Sequence, residues 1–92
     1  MIKSWKHKGV RLFFETGKTS GIQAKHAKRL RIQLGVLNAA AKPEDMDLPG
    51  FNFHRLKGDR KGCFAVSVSG NWRLTYMFDS KDAILVNYED YH

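Results

Sequence analysis

The chain has 92 residues, of which 42% are hydrophobic and 12% aromatic, and this predicts one folded domain over residues 1–92. Sixteen Lys and Arg against nine Asp and Glu give a formal net charge of +7 at pH 7, which favours a polyanionic partner such as nucleic acid. A membrane partner is not expected, because no apolar run reaches the ~20 residues of a spanning helix. The single cysteine excludes an intrachain disulfide. The opening residues lack the apolar segment of a secretion signal, so we expect a cytoplasmic protein.

The first half of the chain has mainly helical periodicity. Residues 2–5 predict a short strand, and residues 8–16 predict a helix that stops at Gly17. Ser20 followed by Gln23 resembles a capping box, which predicts the start of a second helix. The buried stripe of that helix is predicted to contain Ala27, Leu30, Leu34, Leu37 and Ala41.

The second half of the chain has a period of two. A loop over residues 42–52 contains both prolines, and residues 54–57 can add a short strand after it. Gly70 and Asn71 supply turn chemistry between two strand patterns, and residues 79–82 form another polar turn. The apolar faces of three strands are predicted to hold Phe64, Val66 and Val68; Trp72, Leu74, Tyr76 and Phe78; and Ile84, Val86 and Tyr88. The expected fold is α+β, with an N-terminal strand, two helices and an antiparallel meander whose one face the helices cover.

The histidines do not predict a metal site. They stand at positions 7, 26, 54 and 92, without a short ligand spacing, and the cysteine is isolated. We therefore expect neither a metal nor another cofactor. Basic and titratable residues without a metal suggest RNA cleavage through the substrate's own 2′-hydroxyl. That reaction needs a base for the 2′ proton, an acid for the leaving oxygen and cations for the phosphorane.

Candidates for these roles cluster in residues 54–62, where a histidine precedes four cations in a glycine-bounded turn. Histidine suits proton transfer, because its ordinary pKa is near 6.5, and arginine suits phosphate, because its fork matches paired oxygens. Taken alone, this run is more simply explained as a solvated hairpin turn. Arg73 lies on the polar face of its strand, where it is as readily a surface arginine as a functional one.

Residues 87–92 form a charged, aromatic run directly after a strand pattern. A polar tail in this position is usually disordered, but here no Gly, Ser or Pro separates it from the strand. If the strand continues, its side chains divide into two faces, with Tyr88, Asp90 and His92 on one and Glu89 and Tyr91 on the other.

Four blocks of the sequence resemble recurring blocks of HigB-type toxins, in the RelE/ParE toxin–antitoxin superfamily. They are residues 3–9, 56–62, 71–75 and 87–92, the last closing on Asp-Tyr-His, and they lie in the order of the family. The resemblance covers essentially the whole chain, although the second helix and the loop between the prolines match in pattern only. It implies a microbial-ribonuclease-like fold and a metal-independent endoribonuclease that cuts mRNA in the ribosomal A site and so inhibits translation.

The resemblance also implies site residues and partners. The implied active-site residues are His54, Asp90, Tyr91 and His92, with Lys57 and Arg73 as phosphate and transition-state contacts. We therefore count Arg73 among the catalytic candidates, and we take Lys57, Arg60 and Asn71 as the candidate RNA-binding residues. The division of acid and base roles between His54 and His92 stays open. The implied partners are the bacterial ribosome, mRNA and an inhibitory helix-turn-helix antitoxin of the HigA kind, through which operator DNA would be contacted only indirectly.

Two other functions compete with the nuclease. ParE-like toxins share the fold but inhibit DNA gyrase and cut no RNA, and fold alone does not separate the two. A bare RNA-binding module would need no acid or base. His54 and the Asp-Tyr-His ending favour the nuclease. The cations around the second helix have two possible roles: they dock on ribosomal RNA, or they form a solvated charged face. These cations are Lys25, Lys28, Arg29 and Arg31.

Overall fold

The structure is a computed structural model, and it describes residues 1–91. Within this range, two α-helices precede a four-stranded antiparallel sheet whose strands are in chain order. The helices are α1 (Lys8–Thr16) and α2 (Ala27–Ala39). The strands are β1 (His54–Arg55), β2 (Phe64–Ser69), β3 (Trp72–Asp79) and β4 (Asp82–Asp90). Short 3₁₀ turns occupy Ala24–His26, Pro43–Met46 and Gly58–Arg60.

Residues next to α1 determine where the helix begins and ends. The His7 ring accepts a hydrogen bond from the Val10 N–H (3.0 Å), which satisfies one of the free amides of the first turn. Gly17 ends the helix in the left-handed conformation, with φ 82°, and its N–H donates to the Phe13 carbonyl. The predicted stop at Gly17 is confirmed.

The predicted capping box before α2 is wrong. The chain first forms the 3₁₀ turn, and neither Gln23 nor His26 makes a side-chain capping bond there. Instead, the Gln23 N–H donates to the Tyr88 hydroxyl, so a tertiary contact replaces the expected local one. The predicted stripe is correct for Leu30, Leu34 and Leu37, which are fully buried, whereas Ala41 is exposed beyond the helix.

The core lies between the helices and one face of the sheet. This arrangement confirms the predicted two-layer α+β fold. Its largest fully buried side chains are Tyr76, Leu30, Leu34, Leu37, Met46, Leu74, Gln33, Val10, Val66 and Val86.

A bulge in β4 sets the register of the sheet. Asp79 pairs with Asp82 and Met77 with Ile84, but Thr75 pairs with Asn87, so one extra residue lies in β4. Leu85 takes a positive φ of 53° there, which a non-glycine residue rarely does. The predicted alternation is therefore correct for Val86 and Tyr88, which are buried, but wrong for Ile84. Ala83 is buried in its place.

The opening segment is not a strand of the sheet, although it lies where one was predicted. Ile2 and Trp5 make isolated parallel bridges to Ala83 and Val86 on the free edge of β4. The Ser4 hydroxyl also accepts a hydrogen bond from the Leu85 N–H at the bulge (2.9 Å). The extra residue in β4 interrupts the regular ladder, so only bridges form along this edge.

Candidate nucleic-acid interface and active site

A cleft of about 340 Å³ is lined by residues of β1, the middle of β2 and the start of β3. The Gly70–Asn71 turn and Tyr91, which follows β4, complete its lining. Four of the side chains are candidates from the sequence, namely His54, Asn71, Arg73 and Tyr91. We refer to this site as the Arg73 cleft.

His54 is held by the backbone that precedes its strand. Its Nδ1 lies 2.6 Å from the Asn52 carbonyl oxygen. Because a carbonyl only accepts, Nδ1 must carry the proton of this hydrogen bond. In a neutral ring, the Nε2 lone pair is then available to accept a proton. The imidazole is exposed, so this nitrogen can meet a substrate.

Arg73 and Tyr91 form a stacked pair at the other side of the cleft. The guanidinium carbon lies 3.9 Å from the centre of the Tyr91 ring, within cation–π distance. Tyr91 follows β4, and its N–H donates to the Asn71 carbonyl (2.8 Å), which fixes the residue beside the turn. The tyrosine is 57% exposed, so it offers surface to a nucleic-acid base.

Glu89 binds two arginines with one carboxylate oxygen. Its Oε1 accepts from Arg73 Nε (3.1 Å) and from Arg60 Nη2 (2.9 Å). Burial raises the pKa of Glu89, but the hydrogen bonds and charges of Arg60 and Arg73 outweigh it, so the pKa lies below the ordinary glutamate value. Glu89 was not predicted as a site residue, because its role depends on the register between β3 and β4.

A buried cluster of rings supports the cleft from behind. Trp72 lines the cleft and stacks on Tyr88, with ring centres 4.6 Å apart. The Tyr88 hydroxyl lies 2.5 Å from Nδ1 of His26, whose Nε2 is buried without a hydrogen-bond partner. Burial lowers the pKa of His26, and the charge of Lys25 lowers it further. The sequence did not indicate this cluster, since its members come from distant segments.

The other predicted residues do not line the cleft or lie outside the described range. Lys57 lines a second groove with Glu44 and Arg55, which pair at 2.9 Å. Asp90 is the register partner of Trp72, on the side of β4 opposite to Glu89. His92 lies outside the described residues.

Arg29, one of the cations of α2, binds backbone carbonyls of the protein itself. Arg29 Nη2 donates to the Ser67 carbonyl (3.1 Å) and also to the Gly50 carbonyl. Gln33 donates to the same Ser67 oxygen (2.8 Å), next to an irregularity in β2. The two side chains therefore fix β2 at a residue that lines the cleft.

The sequence of the chain matches a known family of proteins over nearly its whole length. A family model described as a RelE-like toxin of the type II toxin–antitoxin system HigB matches residues 3–92. The chain belongs to this family of HigB-like toxins. A curated relative, Endoribonuclease HigB of Proteus vulgaris, is 44% identical over 92 residues and covers 100% of both chains. The family membership expected from the four sequence blocks is thus confirmed.

A solved structure shows the same fold. The crystal structure of a YafQ mutant from E. coli matches with a TM-score of 0.50 and 19% identity, over 97% of this chain and 94% of that one. At this identity the match concerns the fold alone. Within residues 1–91, no helix of this HigB-like toxin is long and apolar enough to span a membrane. In the same range, His, Cys, Asp and Glu side chains do not assemble in a group of three suited to a metal ion.

Proposed function

We propose that this chain is an endoribonuclease that cuts mRNA on the ribosome, in the A site, and thereby stops translation. The observation that carries the proposal is the Arg73 cleft, in which a histidine, an arginine and an exposed tyrosine converge in a chain of the HigB-like family. The name of its relative from Proteus vulgaris supports the same activity. Inhibition of DNA gyrase in the manner of ParE is not favoured, because the family model and the relative both point to HigB.

The proposed reaction uses the 2′-oxygen of the substrate as nucleophile. His54 Nε2 is oriented to take the 2′ proton, since Nδ1 is occupied by the Asn52 carbonyl. The 2′-oxygen then attacks the adjacent phosphorus, and the 5′-oxygen of the next nucleotide leaves with a proton from an acid. His92 is our candidate for that acid, although the two histidines could exchange roles. Asp90 is proposed to orient a histidine or an arginine.

Arg73 is proposed to stabilise the phosphorane. Its side chain is only 16% exposed, so charge–charge interactions in the cleft are less screened than at an open surface. Tyr91 would stack on a base, while Asn71, Lys57 and Arg60 would contact the RNA backbone. No step needs a metal ion, and metal independence is part of the proposal.

The partners follow from the same proposal. A type II toxin has a cognate antitoxin, and we propose a HigA-like helix-turn-helix protein, which alone would contact operator DNA. The toxin would act in the cytoplasm, where its ribosome and mRNA substrates are found.

Mapping of mRNA 5′ ends after brief induction tests the function. We expect new ends within translated codons for the parental chain and none for Arg73→Ala, because loss of a transition-state contact typically lowers the rate by ~10²–10³-fold. Arg11→Ala removes the same charge from an exposed ion pair on α1 and should cut normally. If mRNA stays intact while DNA synthesis stops first, the gyrase inhibitor is the correct function.

A further inference from the structure

The carboxylate of Glu89 lies against Arg73, one of the residues that line the cleft. Phosphate is the ligand proposed for this cleft, and a nearby carboxylate repels it. We propose that Glu89 is a positioning residue, which fixes the Arg73 guanidinium against Tyr91 so that the arginine meets the reacting phosphate in one orientation. This inference rests on the proposed nuclease function.

The geometry fixes the arginine at three points. The Cα atoms of Arg73 and Glu89 are register partners on neighbouring strands, so the two side chains leave the sheet side by side. Glu89 Oε1 then accepts from Arg73 Nε at 3.1 Å. The Tyr91 ring covers the guanidinium, with 3.9 Å between the guanidinium carbon and the ring centre. Backbone, carboxylate and ring together define the plane of the guanidinium.

This orientation leaves the phosphate-binding donors in place. A guanidinium has five N–H groups, of which one is on Nε and four are on the terminal nitrogens. The bond from Nε to Glu89 uses none of those four. The terminal nitrogens supply the paired donors that match two phosphate oxygens. Glu89 therefore fixes the side chain through the one nitrogen that paired binding of phosphate does not require.

Arg60 makes the arrangement stronger. It comes from the Gly58–Arg60 turn, and its Nη2 donates to the same Glu89 oxygen at 2.9 Å. The two arginines raise the charge of the cluster to +1, because they share one carboxylate whose pKa they hold below its ordinary value. Without the carboxylate, the two cations would repel each other with no anion between them, and the Arg73 guanidinium would lose the contact that fixes its orientation.

The two effects of Glu89 on the reaction have opposite signs. Removal of its charge should leave ground-state binding of RNA equal or tighter, because repulsion of phosphate is lost. Removal should also lower the rate of cleavage at saturation, because a misplaced catalytic group loses transition-state stabilisation. A residue that only stabilised the fold would lower the affinity and the rate together.

The experiment compares Glu89→Ala and Glu89→Gln with the parental protein. Affinity is measured on ribosomes programmed with mRNA that carries 2′-deoxynucleotides in the A-site codon, which cannot be cut. Rate is measured by single-turnover cleavage of the ordinary mRNA. For Glu89→Ala we expect equal or tighter binding and a rate lower by about 10- to 100-fold. Glu89→Gln should lose less, because its amide oxygen can still accept from Arg73 Nε.

Glu15→Gln is the matched control. It removes the same charge from an exposed acid of α1 that pairs with Arg11 at 3.2 Å, away from the residues that line the cleft and from the groove of Lys57. We expect parental binding and rate for it. The NMR signal of the Arg73 Nε–H gives a readout without activity, and it should move strongly in Glu89→Ala and less in Glu89→Gln.

Two results would overturn the assignment of Glu89. One is a parental cleavage rate in Glu89→Ala, and the other is a rate that falls only in proportion to weaker binding. Failure of the parental protein itself to cut mRNA would instead reject the proposed function, and the Arg73 Nε–H signal would still report whether Glu89 positions the arginine.

Discussion

Tyr88→Phe removes one hydroxyl from the cluster behind the cleft and nothing else. The phenyl ring that remains would keep its stack on Trp72, so no cavity is formed. The lost hydroxyl has two partners, the Gln23 N–H at 3.3 Å and His26 Nδ1 at 2.5 Å. The hydroxyl oxygen accepts from the Gln23 N–H, and the hydroxyl forms its second hydrogen bond with His26 Nδ1 in the interior.

The magnitude follows from burial. Gln23 is exposed, so its N–H can bind water after the substitution, whereas His26 is 3% exposed and its Nδ1 would lose its partner in the interior. A buried polar group left without a partner costs about 1–3 kcal/mol. In a domain of this size, each kcal/mol lowers the Tm by about 4–8 °C. We therefore expect the free energy of unfolding of Tyr88→Phe to be about 1–3 kcal/mol lower than that of the parental protein.

A double-mutant cycle with His26→Leu makes the test specific. Urea denaturation gives the free energy of unfolding of both single variants and of the pair. Replacing both partners by apolar groups is nearly neutral, so the double variant should recover about 1–3 kcal/mol relative to the sum of the single losses. If Tyr88→Phe unfolds with the parental free energy, or if the two losses simply add, the hydroxyl–imidazole bond does not stabilise the fold and this reasoning is wrong.

Three further predictions concern pH, close packing and phosphate binding. The free energy of unfolding should decrease as pH falls below about 6.5, the ordinary histidine pKa, because burial and the Lys25 charge lower the pKa of folded His26 and the unfolded chain takes up the proton first. Urea titrations from pH 7.5 to 5 should show a weaker slope in His26→Leu. Gly9→Ala should destabilise the protein by about 1–3 kcal/mol or more, since its Cβ would lie 2.2 Å from the Gly21 carbonyl oxygen. Gly35→Ala meets nothing within 4 Å in α2 and should stabilise it by about 0.5–1 kcal/mol; equal Tm values for these two variants would contradict both. Lys57→Ala should weaken binding to ribosomes and flatten its salt dependence, whereas Arg73→Ala should lower the single-turnover rate at saturation; similar effects on both parameters would remove the distinction.

Local chemistry made much of the fold predictable. Gly17 stops α1 because glycine adopts a positive φ without strain. The two turns of the meander also follow from short-range signals, at Gly70–Asn71 and at residues 80–81. The start of α2 was not predictable in this way. The expected capping box does not form, and the Gln23 N–H instead donates to the hydroxyl of Tyr88, which is far away in the sequence.

The bulge in β4 explains why Glu89 could not be predicted. If the register set by the turn after β3 continued without a bulge, Arg73 would face Tyr88. The extra residue at Leu85 moves the register by one, so that Glu89 faces Arg73 and Tyr88 enters the core. Leucine at a positive φ gives no sequence signal for such a bulge.

The candidate site was predictable only in part, and mainly through the family resemblance. His54, Asn71, Arg73 and Tyr91 do converge on one cleft, whereas Lys57 lines a different groove. Spacing along the chain did not reveal this difference. Whether a residue of the turn after β1 faces the cleft depends on how that turn folds back, and this is a tertiary property.

The pairing of the opening segment with β4 affects how the toxin is made. Ile2 and Trp5 are translated before every strand of the sheet, but their partners Ala83 and Val86 are translated only after the other three strands. The segment must therefore wait, unpaired, for most of synthesis. Chains interrupted before residue 82 would lack the partner of the opening segment, and they would also lack Glu89 and Tyr91. The same late stretch of translation therefore supplies both the last strand of the sheet and the cleft residue Tyr91.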